Sequence, residues 1–375
     1  MIYLDNAATT YPKPDELYVA LNNANKLFAF NAGRGAYNAA KETALMINEA
    51  RAAVADFVSL SADTVSFESS ATEALNIIIN GISFNSGDTV YISPFEHNAV
   101  IRPLYNIKKD IDINIEVIPF DKKTWELDIK KLSDMFALKK PKAVFATHVS
   151  NVVGYILPYN KIFELSKKYN AINVLDSAQS FGVLNPIIND VDFIVFAGHK
   201  SLYASFGVAG FINVNNEVLK VTKSGGTGSD SLNHDMPTMG NTRYEAGSHN
   251  SVAIAGLLES TKWLKKSDIY KKEKELTDYL INELKKISKI KVYLPCDMNQ
   301  VFGVISFTVS GYSPSDIGSI LNDEFDICVR TGYHCSPLIH DFIGTTDSYG
   351  TVRISLGAFN NKNDIDSLID ALETL

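Results

Sequence analysis

Two runs, IDINIEVIPF at 111–120 and VDFIVFAG at 191–198, are apolar on both alternating faces. A strand of this kind cannot lie in a one-sided sheet. It belongs inside a sheet covered by helices on both sides. Strand-like runs at 64–67, 89–93, 115–119, 143–147, 172–175, 193–196 and 208–214 alternate with helical patterns such as 71–80 and 160–169. Alternation of this type predicts an α/β fold with a central, mostly parallel seven-stranded sheet and ligands at the carboxyl ends of its strands. From about residue 251 the texture changes. A charged amphipathic stretch to about 290 reads as one long helix bridging two domains. Strand runs at 303–309 and 351–356, with helical runs at 314–323 and 363–375, read as a smaller C-terminal α+β domain. With 375 residues, two domains are expected. The division is an N-terminal segment at 1–15 near the active site, a large domain at 16–250, and a small domain at 251–375.

Composition narrows the function. The hydrophobic share of 46% and charged share of 21% are those of a soluble globular chain. The net charge of −8 argues against a nucleic-acid surface. No run reaches the roughly 18 apolar residues that a membrane helix needs. The start, MIYLDNAATTYPKP, lacks the basic and apolar regions of a secretion signal. The three cysteines, Cys296, Cys328 and Cys335, suit a reducing cytoplasm. No metal site is expected, and no glycine-rich nucleotide-binding run follows any strand.

The segment VDFIVFAGHKSLYASFGV carries most of the chemical information. An apolar strand runs into a loop holding Gly198, His199 and Lys200. A lysine there can reach the ligand crevice and form a Schiff base with an aldehyde cofactor, although most loop lysines are simply solvated. Upstream, another apolar run ends in Leu175-Asp176-Ser177-Ala178-Gln179. A carboxylate at a buried strand end needs a cation. The protonated pyridine nitrogen of pyridoxal 5'-phosphate (PLP) is one, and Gln179 could donate to the ring's phenolic oxygen. A helix N-cap would account for Asp176 equally well. In FESSATEALNIII a strand end meets a helix start, where bare N–H groups and the helix dipole make an anion site. Ser70 and Thr72 add hydroxyls, and an ordinary cap would look the same. His97, after the next strand, is either structural or stacked on a cofactor ring.

These pieces, in this order, resemble the class V aminotransferase family of fold type I PLP-dependent transferases. The likeness begins at Tyr3-Leu4-Asp5-Asn6-Ala7-Ala8-Thr9-Thr10. It continues through Thr72-Glu73-Ala74-Leu75-Asn76, Glu96-His97-Asn98, Ser150-Asn151-Val152-Val153-Gly154, Asp176-Ser177-Ala178-Gln179 and Gly198-His199-Lys200. It ends with Arg330-Thr331-Gly332-Tyr333-His334-Cys335 and Val352-Arg353-Ile354-Ser355. The resemblance implies that Lys200 is the Schiff-base lysine, that Asp176 pairs with the pyridine nitrogen, and that Gln179 and Asn151 lie by the phenolic oxygen and the substrate. It implies that His97 stacks on the ring, that Ala71, Thr72 and His199 hold the phosphate, and that Ala8 and Arg353 face the substrate. Ser248 matches a hydroxyl that reaches the partner subunit's phosphate, which implies a homodimer with shared active sites. One position departs: Ala197 stands where the family often has Ser or Thr, so one phosphate hydrogen bond is missing or supplied elsewhere.

Fold does not choose the reaction. Cys335 does, in a polar loop with Arg330, Gly332 and His334 nearby, a setting that favours thiolate. The pattern resembles the short cysteine loop of group II cysteine desulfurases, the branch that includes selenocysteine lyases. That resemblance implies L-cysteine, or L-selenocysteine, as substrate, with Arg353 gripping its carboxylate, Lys200 removing the Cα proton and His97 assisting later proton steps. Cys335 would take the sulfur as a persulfide, leaving alanine, and an acceptor protein or small thiol would collect it. The alternative is another class V aminotransferase or lyase in which Cys335 is incidental. The polar, Gly-rich segment 224–245 reads as a loop near the site.

Overall fold

The structure, a computed structural model, describes all residues except Arg34, 229–231 and Met239. Part of the loop expected at 224–245 therefore lies outside the described residues. The chain opens with strand β1 (Ile2–Tyr3) and helices α1 (Asp15–Leu27) and α2 (Asn38–Ala55). An α/β alternation follows: β2 (Val65–Glu68), α3 (Ala71–Gly81), β3 (Thr89–Ile92), α4 (Asn98–Asp110), β4 (Asn114–Val117), α5 (Ile129–Leu138), β5 (Pro141–Thr147), α6 (Tyr159–Lys167), β6 (Ile172–Asp176), β7 (Phe193–Ala197) and β8 (Ala209–Asn213). The last third holds α7 (Ser251–Leu264), α8 (Ile269–Leu284), β9 (Ile290–Tyr293), β10 (Val304–Val309), α9 (Pro314–Phe325), β11 (Ile327–Cys328), β12 (Arg330–Gly332), α10 (Pro337–Ile343), β13 (Thr351–Ser355) and α11 (Lys362–Glu373).

Seven strands form the central sheet in the order β2-β8-β7-β6-β5-β3-β4. Pairing is parallel from β4 through β7, and β8 runs antiparallel to both its neighbours. Two reversals restore the direction of β2. The carboxyl ends of β2, β3, β5, β6 and β7 therefore share one edge of the sheet, and the loops leaving that edge build the site. Strand β7, Phe193 to Ala197, is buried along its whole length, as its two-sided apolar pattern requires. One core packs α2, α6 and α7 against one side of the sheet, and a second packs α3 and α4 against the other.

A four-stranded antiparallel sheet, order β12-β13-β10-β9, carries α8, α9 and α11 and has its own core. The expected single long helix after residue 251 is two helices. Its sequence contains only one glycine, Gly256, and no proline before the break at 265–268. The break is tertiary: Ile254, Leu257 and Leu258 of α7 enter the large sheet's core, whereas Leu280, Ile281 and Leu284 of α8 enter the small sheet's.

Two features lock the sheets together. β1 pairs in parallel with β11, so the N-terminus is stitched to the C-terminal third. Gly154, at φ +64°, lies so close to β10 that a Cβ would sit 2.3 Å from the Val304 carbonyl oxygen, so no other residue fits there.

Candidate functional site

Five loops converge at the carboxyl edge of the large sheet. After β2, Ser70 caps α3, its hydroxyl accepting from the Glu73 amide at 3.2 Å, and Ala71 and Thr72 open the helix. That leaves the first-turn amides of α3 facing the pocket with the positive end of the helix dipole. After β3, His97 caps α4, its Nδ1 accepting from the Ala99 amide at 3.0 Å. The ring is therefore the neutral tautomer with hydrogen on Nε2. Burial first, then the positive charges of Lys200, Arg102 and Arg353, hold its pKa down to about 4.

Asp176 is the last residue of β6 and is buried. Its Oδ1 accepts from the Ala178 amide at 3.0 Å. Burial pushes its carboxyl up, while that hydrogen bond and the charge of Lys200 pull it down. Lys200 follows β7 in a tight turn. Burial lowers its amine, with Asp176 acting in the opposite direction. Gln179 donates to the Ala7 carbonyl oxygen at 2.9 Å. These residues, with Asn151, Ala197 and His199, line one cavity of about 100 Å³. The dispersed sequence motifs for Lys200, Asp176, Gln179, His97, Asn151, His199, Ala71 and Thr72 thus meet in one place.

The side chain of Asn151 and the remaining expected site residues are held as follows. Asn151 is turned toward the cysteine loop: its Nδ2 donates to the His334 carbonyl oxygen and its Oδ1 accepts from Ser336 Oγ, both at 2.8 Å. Ser248 is exposed, outside the cavity, and accepts from Asn31 Nδ2 at 3.3 Å. Ala8 lies in the turn after β1, its amide donating to the Asp5 carbonyl oxygen. Arg353 does not present a free fork. Nη2 donates to Asp5 Oδ1 at 2.8 Å and Nη1 to the Asn151 carbonyl oxygen at 2.9 Å, while the buried Nε has no partner among the described residues.

Cys335 is exposed, and it and His334 both adopt left-handed backbone conformations, at φ +58° and +48°. Two such non-glycine residues in succession cost on the order of 1–3 kcal/mol each. Surrounding bonds impose the geometry: the Asn98 amide donates to the Cys335 carbonyl oxygen at 2.7 Å and the Ser336 amide to Tyr333 at 3.0 Å. His334 is not the cationic neighbour that the loop's sequence suggests. It is buried against Thr351 Oγ1 at 2.9 Å, and burial, with Arg353 nearby, holds its pKa far below the histidine range.

Two residues gained no role from sequence. Asp5 bridges Arg330 and Arg353. Lys13 donates to the His199 carbonyl oxygen at 2.7 Å and to Thr10 Oγ1 at 2.6 Å, and burial brings its amine down to about 7. Neither role is readable from local pattern, because Arg330, Arg353 and His199 each lie more than 180 residues from the residue they meet.

A family model described as aminotransferase class V matches residues 2–368, and the chain belongs to that family, whose members use PLP. Among curated relatives, a "Probable cysteine desulfurase" of Methanothermobacter thermautotrophicus is 28% identical, with 100% of this chain and 94% of the relative covered. A cysteine desulfurase of Wigglesworthia glossinidia brevipalpis is 31% identical, with 99% of this chain and 92% of the relative covered. A solved apo structure of a cysteine desulfurase from Thermococcus onnurineus NA1 superposes with a TM-score of 0.91 at 26% identity, covering 100% of this chain and 94% of that one.

Proposed function

We propose that this chain is a PLP-dependent cysteine desulfurase that converts L-cysteine to L-alanine and carries the sulfur away on Cys335. One observation carries the reading: an exposed, conformationally clamped cysteine is presented beside a cavity that holds a half-buried lysine and a buried aspartate.

The cavity fits PLP. The buried Nδ1 of His199, which lines the cavity, lacks a partner among the described residues, and the free amides at the start of α3 suit a phosphate. Lys200 would hold the cofactor covalently, Asp176 would pair with its ring nitrogen, and Ala71, Thr72 and His199 would hold its phosphate. Ala197 offers no hydroxyl there. His97 would cover the ring as a neutral imidazole, and Gln179 and Asn151 would lie near the phenolic oxygen. When bound, PLP supplies an electron sink for charge developing at the substrate's Cα.

The protein's own groups do the rest. The orphaned Nε of Arg353 is a buried donor that a substrate carboxylate would satisfy, beside Ala8. Lys200, its amine lowered by burial, takes the Cα proton at Nζ. The Cys335 thiolate attacks the substrate's sulfur: an S–S bond forms, the Cβ–S bond breaks with its electron pair left on carbon, Cβ gains a proton, and the proton held at Lys200 Nζ returns to the substrate so that Cα regains its hydrogen and alanine forms. A second thiol, on an acceptor protein or small molecule, then attacks the persulfide. Ser248, exposed and outside its own cavity, would reach the phosphate in a partner subunit, making the enzyme a homodimer with shared sites. The three free cysteines fit the cytoplasm.

The test measures alanine and sulfide release from L-cysteine with a reductant, for the wild type and Cys335→Ala, while following the absorbance of bound PLP. Loss of both products with the spectrum kept is expected. Equal turnover by the two proteins would refute Cys335 as sulfur carrier and point to another class V reaction.

A further inference from the structure

Lys13 lies just before α1, and its ammonium reaches the backbone on both sides of Lys200. Its Nζ donates to the His199 carbonyl oxygen at 2.7 Å, on the N-terminal side of Lys200, and to Thr10 Oγ1 at 2.6 Å. A threonine hydroxyl has a single hydrogen. Having accepted from Lys13, Thr10 Oγ1 donates onward to the Lys200 carbonyl oxygen at 3.1 Å, which is nearer than the His199 carbonyl oxygen at 3.3 Å. Thr9 Oγ1 and the Thr10 amide add bonds to the His199 carbonyl oxygen at 2.9 and 3.1 Å. The turn's own hold on the Lys200 amide is long, 3.4 Å to the Ala197 carbonyl oxygen. The gripping segment is itself anchored, because β1 pairs with β11 and the Ala7 amide donates to Ser355 Oγ at 2.8 Å. No carboxylate pairs with Lys13 among the described residues, and burial lowers its amine. An ammonium desolvated without an anion costs stability, so stability alone does not account for its place.

We propose that Lys13 is a positioning residue for the proton transfer at Cα: directly and through Thr10, it fixes the carbonyls on both sides of the Lys200 Cα and so aims Lys200 Nζ at the substrate's α-hydrogen. The inference rests on the reading that Lys200 takes that proton. A base held to within a fraction of an ångström transfers protons faster than one free to swing. L-Alanine is the probe, because it has the α-hydrogen and the carboxylate but no sulfur, so its exchange reads Lys200 without Cys335.

The experiment follows loss of the α-hydrogen of L-alanine in heavy water by proton NMR, with PLP-loaded protein and a series of alanine concentrations. Rates are taken per bound cofactor, which absorbance counts. Lys13→Met keeps most of the aliphatic stem and removes the ammonium. Its saturating exchange rate should fall about tenfold, with the half-saturating alanine concentration unchanged, since the carboxylate contacts are untouched. A purely structural role would reduce the bound cofactor and leave the rate per cofactor alone. That result, or a change confined to half-saturation, overturns the proposal. Lys200→Ala separates the two readings. Exchange at the wild-type rate in Lys200→Ala means that Lys200 is not the base, and the underlying reading fails. Exchange lost in Lys200→Ala but unaltered in Lys13→Met means that the role of Lys13 alone fails. Should Lys13→Met not fold, Thr10→Val removes the hydroxyl between Lys13 and the Lys200 carbonyl and should lower the same saturating rate about threefold, the effect of one hydrogen bond; an unaltered rate refutes the idea.

Discussion

Several carboxyl and imidazole groups in this protein are held neutral by burial rather than by a charged partner. Glu273 is the clearest case. Its Oε1 accepts from Tyr203 Oη at 2.9 Å, and burial pushes its pKa up to about 8. A carboxyl raised in this way stabilises the fold fully below its unfolded pKa, near 4.5, and that contribution disappears as pH rises through about 8. Glu273→Gln copies the neutral acid and does not titrate. The variant's Tm relative to the wild type should therefore climb between about pH 5 and about pH 8. A flat difference would mean that Glu273 is ionised in the folded protein. His97, His148 and His199 show the opposite case: burial holds each near 4, so all three are neutral imidazoles at physiological pH. Sequence readily identified His97 and His199 as site residues. It did not reveal their protonation, because burial depends on neighbours brought in by the fold.

Between elements, one buried ion pair joins three segments that are remote in sequence. Arg51 of α2 forms a bidentate pair with Glu245, both contacts at 2.6 Å. Glu245 also accepts from the Phe67 amide of β2 at 2.6 Å and pairs with His249 at 2.9 Å. The pair thus anchors the loop that carries Ser248. Replacing Arg51 with Leu would leave Glu245 buried without its main countercharge, at a cost of about 3–5 kcal/mol. Denaturant unfolding should show that loss, and limited proteolysis should show faster cleavage around 240–249. Wild-type stability in Arg51→Leu would mean that the pair holds nothing in place. The strands of the large sheet were legible to within one or two residues, because two-sided burial writes a continuous apolar run; β4 is the exception, a partly exposed edge strand despite the apolar run at 111–120. β1, β11 and β12, of two or three residues each, leave no such run, and the break between α7 and α8 is marked locally only by Asp268 at the N-cap of α8.

Over the whole molecule, the two sheets unfold as one unit if the contacts between them are strong. An aromatic cluster supplies such contacts. Phe95, Trp125 and Tyr155 from the large sheet's side pack with Tyr293 and with Phe342 of α10, the Phe95 and Phe342 rings centred 5.2 Å apart. Phe342 is buried and lies seven residues beyond Cys335. Phe342→Ala should cost about 3–5 kcal/mol. It should also split the single calorimetric transition expected of the wild type into two. One unbroken transition in the variant would place the coupling in the N-terminal stitch instead.

The sequence by itself determined the α/β architecture, the order of its motifs, and the residue types gathered around a lysine and an aspartate. Those follow from periodicity and strand ends, which are local. The tertiary structure alone decided that Arg353 shares its fork with Asp5, that Asn151 braces the cysteine loop, and that His334 is buried and uncharged beside an exposed Cys335. Each of these depends on partners contributed by distant parts of the chain. Burial and charge pairing are properties of that assembled neighbourhood, which no local run of residues encodes.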